Sequence, residues 1–264
     1  MPRLLVIFLL STVVHTAYGL SVTTDALHEA LQDETVTLKC QFSPPSGGGN
    51  QYAITWKFSG EYASTSNEII YVHEGSGSST AYGQFAGRAT VSGSRGDLRI
   101  SKVKLTDVGD FVCEVNYYVI NDQGSASTRL EVYAVVQRVD ILEYYTGSYV
   151  YVKPGRTLDL TCKSYRGRPQ AKLMWYFDNQ LISGGSESVV DNRDGTYDTT
   201  STYRYVSKRE DHNKILKCQS DQSPRIQYRF EYDQIFINTA GASTTTVSIV
   251  AFILSFLVIA VQKL

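Results

Sequence analysis

The sequence predicts an all-β chain: two sandwiches in tandem, followed by a short polar stretch and a hydrophobic C-terminal segment. Three observations carry this. First, apolar and polar residues alternate along short runs, as in Val36, Leu38, Cys40 and Phe42 around Thr37, Lys39 and Gln41, which puts one set on a buried strand face. Second, the order Cys, Trp, Cys occurs twice, as Cys40, Trp56, Cys113 and as Cys162, Trp175, Cys218. Third, residues 20–133 show no helical period, only short runs punctuated by Gly, Ser and Asn.

A chain of 264 residues has room for one to three domains. A net charge of −1 argues against nucleic acid as a partner, because phosphate neutralisation needs a surplus of Lys and Arg on one face. The four cysteines contain no Cys-x-x-Cys pair that would suggest zinc or redox chemistry, and they allow three pairings.

In the first half, Ile54, Trp56 and Phe58 alternate around Thr55 and Lys57, and Asp107-Val108-Gly109-Asp110 turns the chain into a strand that points Phe111 and Cys113 inward. With Cys40, Trp56 and Cys113 in this order, residues 20–134 resemble a variable-type domain of the immunoglobulin superfamily. The resemblance implies a Greek-key sandwich stapled by Cys40 and Cys113, with Trp56 against the bridge and Arg88 paired to Asp107. Phe111 stands where that family's corner tyrosine belongs and has no hydroxyl to donate. Residues 69–72 supply material for an extra middle strand.

Two loops stand out in this domain. Residues 43–50 hold three consecutive glycines and are expected to be mobile or adaptable. Residues 116–127 should form the hairpin after the second cysteine. There Tyr117 and Val119 continue the strand inward on one reading, while Tyr118 and Ile120 face outward as contacts. The antigen-receptor Gly-x-Gly bulge is missing from Gln123-Gly124-Ser125-Ala126, so the resemblance favours an adhesion or receptor domain.

The connection near residues 134–151 is apolar, without a Pro/Gly-rich spacer, and predicts a stiff link. Residues 135–237 repeat the pattern with Leu158, Leu160 and Cys162, then Trp175, then Cys218. They resemble a seven-strand constant-type or intermediate-type domain, like the second domain of nectin-like and junctional adhesion molecules. Leu216 stands at the corner-tyrosine position and there is no Asp-x-Gly turn. In this family the bridges are within domains, so Cys162 is expected to pair with Cys218. Each bridge would contribute about 4 kcal/mol by the chain-entropy account and would persist only outside the cytosol.

The two ends point to the cell surface. Arg3, an apolar run over residues 4–14 and Ala17-Tyr18-Gly19 predict a secretory signal over residues 1–19. At the other end, residues 247–261 are apolar apart from two serines. As a helix they would span roughly 22 Å, short for a bilayer. Residues 238–246 are small and polar, the form of a glycolipid-attachment region, with Asn238, Gly241 and Ser243 as attachment candidates. A short single-pass helix is the alternative reading.

The materials for catalysis are thin. His28, His73 and His212 are widely separated and expected to be solvated. Gly75-Ser76-Gly77-Ser78-Ser79 lacks the lysine of a phosphate loop, and no Gly-x-Ser-x-Gly elbow occurs. No enzyme, cofactor or metal is expected. The 19 tyrosines instead suit recognition, since tyrosine offers large contact area at low entropic cost. Tyr52, Tyr62, Tyr71, Tyr117 and Tyr118, with Ile120, are the expected partner-binding residues of the first domain. None of the eight asparagines begins an Asn-x-Ser/Thr acceptor. The expected function is surface adhesion or recognition of another immunoglobulin-like protein or of itself. An immune-type ligand or receptor subunit acting through a signalling partner is the alternative.

Overall fold

The computed structural model describes residues 19–49, 51–61, 68–74, 79–92, 96–182 and 184–239. The signal-like and hydrophobic terminal segments lie outside them, and among the described residues no helix is long and apolar enough to cross a membrane. The chain divides into two units, one ending at Val132 and the other starting at Tyr133.

The first unit contains β1 (Ser21–Thr23), β2 (Leu27–Leu31), β3 (Val36–Leu38), β4 (Gln41–Ser43), β5 (Tyr52–Gly60), β6 (Glu68–Glu74), β7 (Ser79–Ala81), β8 (Ala89–Ser92), β9 (Asp97–Ile100), β10 (Gly109–Tyr117) and β11 (Asp122–Tyr133). A six-stranded sheet in the order β2-β11-β10-β5-β6-β7 faces a three-stranded sheet, β3-β9-β8, and β1 pairs β4. The expected extra strand is present as β6, with β7 beyond it at the sheet edge.

Cys40 and Cys113 are bridged, and both are fully buried beside Trp56. The run around Cys40 keeps its alternating burial but is not one strand. β3 pairs β9, β4 pairs β1, and between them the Cys40 N–H donates to the Asp97 carboxylate at 2.9 Å, so a side chain replaces the missing ladder partner. The Trp56 indole donates to the Gly96 carbonyl at 3.0 Å. Phe58, Phe85 and Phe111 pack with ring centroids 4.8 to 5.8 Å apart, so Phe111 contributes its ring where the corner hydroxyl is missing.

Gly109 opens β10 because nothing larger fits: a Cβ there would meet the Ser59 carbonyl oxygen at 2.3 Å. The glycine-rich loop at 43–49 is pinned rather than loose. Pro45 and Gly48 are buried, Gly48 N–H donates to Pro45 O at 3.2 Å, and a Cβ on Gly48 would lie 2.6 Å from the Tyr117 ring. The middle glycine therefore serves close packing.

The second unit contains β12 (Arg138–Ile141), β13 (Tyr149–Val152), β14 (Thr157–Gly167), β15 (Lys172–Phe177), β16 (Gln180–Ile182), β17 (Ser186–Asp191), β18 (Tyr197–Val206), β19 (Lys214–Asp221) and β20 (Tyr232–Thr239). Its sheets are β12-β14-β18-β17 and β13-β20-β19-β15-β16, nine segments among the described residues where seven were expected. One excess arises because the first strand is split. β12 lies in one sheet and, after a turn with Gly147 at φ +72°, β13 runs parallel to β20 in the other. The second excess is the short edge strand β16.

Cys162 and Cys218 are bridged, and Trp175 is buried beside them with its indole donating to Ser201 Oγ at 3.1 Å. Among the described residues β17 pairs only with β18, and all six of its residues are exposed, Val189 and Val190 included. Ala134 and Arg168 exchange backbone hydrogen bonds at 2.8 and 2.9 Å, which ties Ala134 to the second unit.

Candidate recognition surface

Most tyrosines of the predicted contact set do not face outward. Tyr117 is fully buried, because β10 keeps strict alternation through it. Its ring closes one end of the core, 5.2 Å from Tyr52 and 6.4 Å from Phe42, and burial followed by the Tyr52 charge raises its hydroxyl above the usual phenol range. Tyr71 is 4 % exposed. A register shift between Trp56 and Lys57 places both Ile70 and Tyr71 under the sheet, where the Tyr71 hydroxyl accepts the Val91 N–H at 3.1 Å.

Tyr52 is half-buried in the Phe42–Tyr117 cluster, and Ile120 is partly buried and packs against the core. Tyr62 lies outside the described residues. Tyr118 alone among the described members of the set stands well out, 62 % exposed. Strand alternation stops at Tyr117, and the following turn, with Asn121 at φ +49°, turns Ile120 back to the core while Val119 is 59 % exposed, the reverse of the inward placement expected for Val119.

The outward face of the six-stranded sheet is polar. Ser125, Glu114, Thr55 and Val72 form one cross-strand row, and Ser127, Val112, Lys57 and Ile69 form the next. At its centre the Lys57 ammonium meets Glu114 Oε1 at 2.6 Å, a pair the sequence reading missed because its members lie 57 positions apart. Beside it a hollow of about 270 Å³ is lined by Thr55, Glu114, Asn116, Gln123 and Ser125, with Tyr118 on its wall. Arg129 closes one end of the face, reaching Glu131 at 2.6 Å, Glu61 at 3.0 Å and Asp110 at 3.4 Å.

Two aspartate turns hold this architecture. Arg88 Nη1 and Nη2 each donate to the Asp107 carboxylate at 2.8 Å, and Asp107 also accepts the Lys104 N–H at 2.9 Å. In the second unit Asp211 accepts the Lys208 N–H at 2.7 Å and the Tyr205 hydroxyl. Burial first, and then that hydrogen bond to a carboxylate, push the Tyr205 hydroxyl far above the ordinary phenol range.

The aromatic surface expected on the first domain occurs on the second. On the outward face of its five-stranded sheet, Tyr149, Phe236 and Ile215 share one row, Tyr176, Lys217 and Gln234 another, and Met174, Gln219 and Tyr232 a third. The Tyr149 and Phe236 rings stack at 5.1 Å, and Lys217 sits 4.6 Å over Tyr176 and 5.7 Å from Tyr232. Tyr149, Tyr151 and Tyr232 are 57 %, 74 % and 52 % exposed. The alternation of Tyr149-Val150-Tyr151-Val152 was the available signal, since buried Val150 and Val152 force both tyrosines out. His28 also departs from expectation: it is largely buried on β2, with its Nε2 3.9 Å from the Asp25 carboxylate and without a hydrogen bond among the described residues.

The V-set immunoglobulin domain model matches residues 23–133, and the CD80-like C2-set immunoglobulin domain model matches residues 147–225. The chain is 28% identical over 179 residues to "V-set and immunoglobulin domain-containing protein 1" of Gallus gallus, across 66% of this chain and 51% of that protein. It is 26% identical over 125 residues to "Cell adhesion molecule 2" of Xenopus tropicalis, across 47% of this chain and 27% of that protein. The matches thus span about half or less of these relatives' own lengths. A solved structure titled "Crystal Structure of Rst D1-D2" superimposes with a TM-score of 0.65 at 18% identity, covering 84% of this chain and 99% of that one, a likeness of fold. With two bridged sandwiches and both domain models matched in order, the chain belongs to the immunoglobulin superfamily, a V-set domain followed by a C2-set domain.

Proposed function

We propose that the chain is a cell-surface recognition protein whose V-set domain binds another immunoglobulin-like domain, on its own kind or on a different protein. The observation that carries this is the outward face of the six-stranded sheet, where Tyr118 flanks a polar hollow beside the Lys57–Glu114 pair. An exposed tyrosine next to a charge pair is the chemistry of an interface centre, the ring supplying area and the charges selecting the partner. The name of one relative, "Cell adhesion molecule 2", agrees with adhesion as the general role. V-set and C2-set domains recognise surfaces and carry no turnover chemistry, so the reading is non-enzymatic.

The hydrophobic run at 247–261 would hold the chain on the outer side of the plasma membrane, through a lipid or a single span. Of the attachment candidates, Asn238 lies within β20, paired with Tyr151 and followed by buried Thr239. Attachment there would remove a core residue, so Gly241 and Ser243, outside the described residues, are the better candidates.

The test is aggregation of cells that display the full chain. Tyr118→Ala and Glu114→Lys each abolish clustering, whereas Tyr149→Ala leaves it intact. Clustering lost only with Tyr149→Ala would move the contact to the C2-set domain. Binding solely to cells lacking the chain would favour the ligand or receptor-subunit alternative. Unchanged clustering with all three variants overturns the assignment to these faces.

A further inference from the structure

One pole of the second domain gathers positive charge. β13, β18 and β20 end there and β14 and β19 begin there, so the loops at 153–156 and 207–213 lie side by side. Gly155 N–H donates to Ser207 O at 2.7 Å, Ser207 N–H to Arg156 O at 2.9 Å, and Ser207 Oγ to Lys153 O at 2.7 Å. Thr239, the last described residue, donates its hydroxyl to Arg209 O at 3.2 Å on the same pole.

The two loops and the start of β19 therefore bring together Lys153, Arg156, Lys208, Arg209 and Lys214. The first four are exposed and Lys214 is half-buried over the Phe177 ring. Among the described residues none of the five enters an ion pair. Among the described residues the exposed carboxylates at this pole are Glu210, Asp178 and Asp159, the last paired with Arg204 at 2.7 Å, since Asp211 is buried and occupied by Tyr205 and Lys208. Tyr151 and Val206, 74 % and 51 % exposed, stand beside the cations.

Only residues 240–246 separate Thr239 from the apolar run at 247–261, and seven residues reach at most roughly 25 Å. We propose that this basic and aromatic pole docks on the phosphate-bearing headgroups of the membrane that carries the chain. The inference rests on the anchoring role given above to residues 247–261. The tether keeps the pole within reach of the bilayer, lysines and arginines donate charge-assisted hydrogen bonds to the phosphate that phospholipid headgroups of either leaflet carry, and tyrosine favours the interface between water and lipid. Docking would fix the orientation of the C2-set domain on the surface.

The experiment uses the full chain in phosphatidylcholine vesicles, in vesicles mixed with phosphatidylserine, or in uncharged maltoside micelles that carry no phosphate, with amine acylation read residue by residue. Lys153 and Lys208 are expected to react about fivefold more slowly, relative to Lys102 of the first domain, in both kinds of vesicle than in the micelles, and molar salt should remove the difference. The exposed-site variant K208E/R209E should lose the protection at Lys153 while Lys102 keeps its rate. Equal relative rates in vesicles and micelles overturn the proposal, as does protection by a soluble sulfated polysaccharide with none from vesicles. Flotation in molar salt separates the two readings. A chain that floats but shows no protection at low salt keeps its anchor and refutes docking. A chain that is protected at low salt yet leaves the vesicles in molar salt docks on lipid without the anchor.

Discussion

Asp107 and Asp211 occupy one position in two copies of the same turn: each is the third residue of a 3-10 turn, is buried, and accepts the N–H three residues before it. Their remaining partners differ. Asp107 is neutralised by the Arg88 guanidinium, whereas Asp211 takes a neutral hydroxyl from Tyr205. Arg88→Ala leaves a buried carboxylate without a counter-charge and is expected to cost about 3–5 kcal/mol. Tyr205→Phe removes one donor and should cost about 1–3 kcal/mol. Native-state hydrogen exchange of core amides in each domain checks both, and the domain-one variant should be the more damaging.

Gly109→Ala drives a methyl group against the Ser59 carbonyl, backbone that has no side-chain freedom with which to yield. The expected loss is about 1–3 kcal/mol, confined to the first domain, with exchange fastest at the β5–β10 amides.

Ser201 is buried and accepts the Trp175 indole N–H. Ser201→Ala strands that donor beside the Cys162–Cys218 bridge and should cost about 1–3 kcal/mol in the second domain. The counterpart in the first domain is a backbone carbonyl, Gly96 O, which no side-chain change can delete.

His28 gives the first domain an acid sensitivity. Burial lowers its affinity for a proton, with Asp25 pulling the other way and Lys39 adding to the depression. The folded form therefore binds a proton less readily than the unfolded chain. Stability is full above the ordinary histidine range and falls as pH drops through that range toward the lower folded-state value. His28→Gln should flatten that part of the pH profile, measured by exchange at β2 and β11.

The two sandwiches were legible because their signals are local: period-two burial, cysteines on inward positions, an indole on the strand between them. The contact surface was not, because it depends on where alternation stops. Tyr117 and Tyr118 are adjacent and chemically identical, yet one is fully buried and the other mostly exposed, according to the residue at which β10 ends. Tyr71 depended on a one-residue register shift, which has no sequence signature here. Lys57 and Glu114 meet only after the strands are ordered. The aspartate turn of the second domain was hidden because Asn213 stands where a glycine was sought, at φ +61°.

The open margin at β17 has a consequence for handling the protein. A six-residue strand with no lysine, proline or bulge, with Val189 and Val190 exposed and with one edge that pairs no strand among the described residues, offers that edge to any extended segment. In concentrated preparations chains will aggregate first along this border, and a lysine placed at position 190 would raise the solubility ceiling without touching either core.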